Sequence, residues 1–108
     1  MAIKSAGKIT VTSAGTPVRA TTNESTPTAR LGVQSFTVFA PSGNTGTNIY
    51  VGNSSLNKTT YAGLYAIVAK GGSASFSILN APAGINLNEI FIDADTSADV
   101  ALVSYTEQ

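Results

Sequence analysis

Apolar and polar residues alternate with a period of two along most of this chain, and no stretch convincingly holds the spacing of an amphipathic helix. Lys8-Ile9-Thr10-Val11-Thr12 alternates as a half-buried strand does, and the cluster Ser13-Ala14-Gly15-Thr16-Pro17 turns the chain back. Residues 17–21 form a second strand, with proline tolerated at its start. Residues 22–30 are polar, carry Pro27 and show no period, which predicts a long loop. Residues 33–40 are rich in β-branched and aromatic side chains and predict a strand, closed by Pro41-Ser42-Gly43-Asn44. Further strands are predicted at 48–52, 63–69, 73–79, 88–93 and 99–105. Polar loops lie at 53–61 and 95–98, and turns at Gly71-Gly72 and 80–84. The nearest helical alternative, 61–69, is opposed by its β-branched content, its length and Gly63. About eight short strands with Gly, Pro and Asn between them predict an all-β fold, an antiparallel β-sandwich or jelly roll. Residues 1–108 are one domain by length, and 1–7, which lack a clear period, read as a short N-terminal arm.

Several of these strands are apolar on both faces. In the last one, Val100 and Leu102 point one way while Ala101, Val103 and Tyr105 point the other. In 63–69, Leu64, Ala66 and Val68 oppose Tyr65 and Ile67, and Ile90-Phe91-Ile92 has no polar side. A lone antiparallel sandwich usually keeps one face of each sheet wet. The surplus predicts a contact with another protein surface, centred on Tyr65, Ile67, Val103 and Tyr105, in a homo-oligomer for which three copies are expected. The competing arrangement has loops 22–30 and 53–61 folding over these faces within one chain.

Composition narrows the chemistry. The 108 residues include no Cys and no His, which removes disulfides, thiolate nucleophiles, Cys/His zinc sites and the commonest general base. Six basic and six acidic residues cancel, and charged residues are only 11% of the chain. The cations Lys4, Lys8, Arg19, Arg30, Lys58 and Lys70 are scattered, so neither nucleic acid nor an anionic membrane is expected as a partner. Fourteen Thr and twelve Ser must supply the surface polarity, leaving little self-repulsion to oppose association. No apolar run approaches the ~18 residues of a membrane span. Residues 1–8 have no signal-peptide core, so synthesis in a cytoplasm is expected.

The remaining candidate sites are weak. Asp93-Ala94-Asp95-Thr96-Ser97-Ala98-Asp99 is rich in oxygen ligands but lacks the glycine and terminal glutamate of an EF-hand, so a solvated loop is the expectation. Glu89 and Asp93 have the spacing of paired carboxylates on one strand face, but without tryptophan to stack on sugars a glycosidase is not expected. No Gly-x-Ser-x-Gly elbow occurs, and no helix follows Gly71-Gly72 to bind phosphate. No catalytic residue and no cofactor is assigned, and the chain is read as non-enzymatic.

The order of certain segments resembles a group of short bacteriophage structural proteins. These segments are Gly7-Lys8-Ile9-Thr10-Val11-Thr12 with Gly15-Thr16-Pro17-Val18, then Ile49-Tyr50-Val51-Gly52, then Gly72-Ser73-Ala74-Ser75-Phe76-Ser77-Ile78. They close with Leu87-Asn88-Glu89-Ile90-Phe91-Ile92-Asp93-Ala94-Asp95 running into a valine-rich strand. The resemblance spans most of the chain and implies a capsid decoration or cement protein. Such proteins sit on the outside of the virion against the major capsid protein, often as trimers, and brace the lattice. A tail, collar or fibre-base component is the nearest alternative, and a carbohydrate-binding β-module the next.

Overall fold

The computed structural model describes residues 3–21, 32–77 and 85–107. Among the described residues nine strands follow in chain order: β1 (Ile3–Thr10), β2 (Val18–Arg19), β3 (Gly32–Phe39), β4 (Asn48–Gly52), β5 (Leu64–Ala69), β6 (Ser73–Ser77), β7 (Ile85–Asn86), β8 (Phe91–Ala94) and β9 (Val100–Glu107). They form two sheets. The first runs β1-β9-β3-β6, with β7 also paired to β3, and the second runs β2-β8-β4-β5.

All pairings are antiparallel, and they nest. β1 pairs with β9, β2 with β8, β3 with β6 and β7, and β4 with β5. The chain is thus one long hairpin with its tip at β4–β5. Rolling it up brings β3 against β9 and β4 against β8, which completes each sheet. That is a jelly roll, one of the two architectures the strand pattern predicts. The two short strands β6 and β7 lie along one edge of β3. Ser77 pairs with Ser35, and Ile85 with Val33.

The core is the space between the sheets. Ile9, Phe36, Val38, Ala101, Val103 and Tyr105 from the first sheet meet Ile49, Val51, Val68 and Ile92 from the second. At one end of this layer Phe36 stacks on Phe76 across the β3–β6 pair, centroids 4.8 Å apart.

The structure corrects three expectations. Residues 3–7 are not a free arm. They belong to β1 and pair with β9, where Ile3 faces Thr106 and Ser5 faces Ser104. A bulge between Ser5 and Gly7 (φ 86°) shifts the register by one residue, so the polar N-terminal stretch serves the ladder despite its broken alternation. The strand predicted over 88–93 starts late, because Leu87–Glu89 forms a 3₁₀ turn capped by the Asn86 side chain. The surplus apolar surface is also partly sealed from within. Loop 53–61 buries Leu56, and its Lys58 Nζ donates to the Ala94 carbonyl (2.9 Å). Tyr50, on the outer side of β4, is accordingly buried. The loop predicted over 22–30 lies outside the described residues.

Candidate functional site

The oxygen-rich segment 93–99 is exposed at Ser97 and Ala98, as expected of a loop, while its three carboxylates turn toward the protein. Each carboxylate accepts from at least one backbone amide, and Asp93 Oδ2 is buried without a hydrogen-bond partner among the described residues. Asp99 Oδ1 and Oδ2 accept from Thr45 N (2.8 Å) and Gly46 N (2.7 Å). Asp95 accepts from Asn48 N (3.1 Å) and the Tyr50 hydroxyl (2.8 Å). Asp93 Oδ1 accepts from Gly15 N (2.9 Å) and Ala94 N (2.8 Å). Beside them the Asn44 side chain bonds both ways with the Val100 backbone, extending β9 by one rung. Among the described residues no group of three or more Asp, Glu, His or Cys could hold a metal ion. The segment is a hub that ties the 13–15 and 44–46 loops to the end of the roll. Burial and the bond to Asp95 raise the pKa of Tyr50 above its ordinary value. The suggested carboxylate pair does not form, since Glu89 stands exposed on the 3₁₀ turn while Asp93 is buried on β8.

The four residues expected at an assembly contact separate into two pairs. Val103 and Tyr105 are only 1% and 9% exposed and belong to the core between the sheets. They cannot be an outer contact in the folded chain. The exposed residue of that strand is its neighbour Leu102, at 40%. Tyr65 and Ile67 do face outward on β5.

Leu102 pairs with Phe39 of β3, itself 38% exposed, and the same cross-strand row continues to Lys8 on β1 and Ser73 on β6. Around this apolar pair the outer face of the first sheet carries hydroxyls in register. One row is Ser5, Ser104, Thr37 and Ser75, in which the last two share a hydrogen bond of 2.9 Å. The next row is Thr106, Ser35 and Ser77. Among the described residues of this face, Lys8 carries the charge. Sequence reasoning missed Phe39 and Leu102 as a pair. The signal was present in the register, but register is not readable from a single strand.

A second feature opens at the edge where the sheets part. The β4–β5 register runs Val51 to Ala66 and then Gly52 to Leu64, leaving Tyr65 without an opposite residue. This bulge turns Tyr65 out of the ladder at 53% exposure. It borders two adjoining grooves. One, of about 580 Å³, is polar and includes Asn53, Asn86, Glu89 and Phe91. The other, of about 830 Å³, runs between β5 and β6 over Phe36 and Phe76. Arg19 lies over the Phe91 ring, 5.5 Å from its centroid.

No protein-family model, curated protein or solved structure matches this chain. Among the described residues, no helix is long and apolar enough to cross a membrane.

Proposed function

We propose that this protein is a non-enzymatic structural component of a bacteriophage virion, a decoration or cement protein that binds the capsid exterior and stabilises it. The observation that carries the reading is the outer face of the β1-β9-β3-β6 sheet. It is a broad strand surface with an apolar centre at Phe39 and Leu102, a surround of hydroxyls and Lys8 as its charge. Such a surface loses little on desolvation and can lie flat against another protein. The jelly roll is an architecture that capsid domains and lectins share, which supports the reading without choosing a partner. The chain's lack of His and Cys, and the use of its buried carboxylates as backbone anchors, support a structural role over catalysis.

The partners in this reading are further copies of the chain, three being the number the resemblance implies, and the major capsid protein. Many weak contacts repeated over a lattice sum to strong retention. The test has two arms. Light scattering over a concentration series reports self-association, with a multiple of the chain mass expected. Sedimentation with purified capsids and, separately, with purified tails reports where the protein binds. Retention on capsids is expected, and a monomer that sediments with neither particle would overturn the proposal.

A further inference from the structure

We propose that the polar groove beside Tyr65 is a binding site for an uncharged saccharide. The groups that face it are of the kinds a sugar ring needs. Asn53 Oδ1 accepts from Ser55 N (2.8 Å) and Asn86 Oδ1 accepts from Asn88 N (3.1 Å). Those bonds identify which end of each amide is oxygen, so both amide nitrogens are left as donors without a partner among the described residues. The Glu89 carboxylate, exposed on its 3₁₀ turn, has no partner among the described residues either and can accept two hydroxyls. Ser54 adds a hydroxyl that can donate or accept. The Tyr65 ring, held out of the ladder by its bulge, lines the same groove.

A pyranose presents an apolar C–H face and a rim of hydroxyls, each of which both donates and accepts. An aromatic plane flanked by amide donors and a carboxylate acceptor matches both parts. Other ligand classes fit less well. An anion would meet Glu89, and the nearby cation Arg19 is placed over Phe91. A metal ion would find one carboxylate. An apolar peptide would strip water from two amides and a carboxylate without replacing it. The space is adequate, since about 580 Å³ lies within the common range of small-ligand pockets, roughly 300–1,000 Å³. Beyond Tyr65 the groove continues into the larger cleft over Phe76, which gives an oligosaccharide room for further rings.

The site does not use Phe39 or Leu102, which lie on the outer face of the β1-β9-β3-β6 sheet and line neither groove. Saccharide binding and particle attachment can therefore succeed or fail separately. The experiment is an array of neutral oligosaccharides probed with the full chain, followed by calorimetric titration of the hits. Saturable binding is expected, weakened more than tenfold by Tyr65→Ala and about tenfold by Glu89→Gln, and retained in Tyr65→Phe, which keeps the ring. Circular dichroism melts should show all three variants folded. The absence of any neutral hit at millimolar sugar overturns the proposal, as does a response confined to charged glycans. Binding that is the same in Tyr65→Ala and Glu89→Gln as in the parent overturns it too.

Discussion

Tyr50 shows how one buried hydroxyl couples this fold to pH. Its ring lies on the outer side of β4 beneath loop 53–61, and its hydroxyl donates to Asp95 Oδ1 at 2.8 Å. Burial, then the bond to Asp95, hold the proton on, so the folded-state pKa lies above the unfolded value of about 10. The folded chain then binds the proton more tightly than the unfolded one. The stabilisation is complete below pH ~10 and is lost as pH rises through the folded value. Tyr50→Phe is expected to lose about 2 kcal/mol near neutrality, the worth of a bond to a charged acceptor, and to show a shallower alkaline decline. Urea unfolding from pH 8 to 11.5 measures both effects. Asp99 makes the stronger structural bond. Asp99→Asn sets an amide N–H₂ against the N–H of Thr45 or Gly46, and a loss of about 3 kcal/mol is expected with an unchanged urea m-value. Neither role was legible beforehand. The segment 93–99 advertises oxygen atoms, but whether they face water, a cation or backbone amides depends on loops 78 and 54 residues away in sequence. The same limit explains the misplaced contact residues. Period two divided β9 correctly into Leu102 on one side and Val103 with Tyr105 on the other. Both sides are apolar, so the pattern alone could not say which one faced the core.

At the scale of elements, most of the roll could be read directly. The strand at 48–52 has the predicted bounds, and 33–40, 63–69 and 99–105 differ from β3, β5 and β9 by two residues or fewer at each end. These strands carry β-branched residues, and β3, β4 and β5 stop at proline-, asparagine- or glycine-bearing turns, so local preference and tertiary pairing agree. The disagreements fall where a neighbour decides. β1 extends back to Ile3 because β9 offers a ladder to pair with, and 87–89 coils into a 3₁₀ turn because Asn86 caps it. The loop 53–61 is the element whose job was hardest to foresee. Most of its residues are exposed as in a solvated loop, yet it buries Leu56 and is closed by a tight approach between Gly52 and Gly63. Asn53 N donates to the Gly63 carbonyl at 2.9 Å, and Gly63 adopts φ 65°. A Cβ on Gly63 would run into the Asn53 amide and sit 3.1 Å from Leu56 N. Gly63→Ala is therefore expected to cost about 2 kcal/mol or more and to speed hydrogen exchange at Asn53 and Leu56, as the loop lifts from the sheet. Gly43, with open space around it and no positive φ, supplies the control. Its alanine variant should stay within about 0.5 kcal/mol of the parent.

For the whole molecule the question is which surfaces remain once the chain has covered what it can. Loop 53–61 buries Leu56 and anchors Lys58 on the Ala94 carbonyl, and Val103 with Tyr105 are enclosed between the layers, so the apolar excess of the described residues is smaller than strand patterns suggest. Among the described residues the large apolar side chains left exposed are Phe39 with Leu102 on one sheet, and Tyr61, Tyr65 and Ile67 toward the other. Single exposed apolar residues are common on any protein. A cross-strand pair on a face whose described residues carry hydroxyls and one lysine is different, because that face offers little charge to repel a partner and a large share of its surface can be desolvated cheaply. If assembly runs through this face, its energy should concentrate in the two side chains at its centre, as it does at hot spots of protein interfaces. The double variant Phe39→Ser/Leu102→Ser is then expected to lower the mass seen by light scattering to that of one chain and to abolish retention on capsids. Its unfolding free energy should change by no more than about 1 kcal/mol, since both side chains lie outside the core. Ile67→Ser serves as the comparison, removing exposed apolar surface from the opposite sheet. Should Ile67→Ser dissociate the assembly while the double variant leaves it intact, the contact lies along β5. The flat face of the first sheet is then ordinary solvent-facing surface.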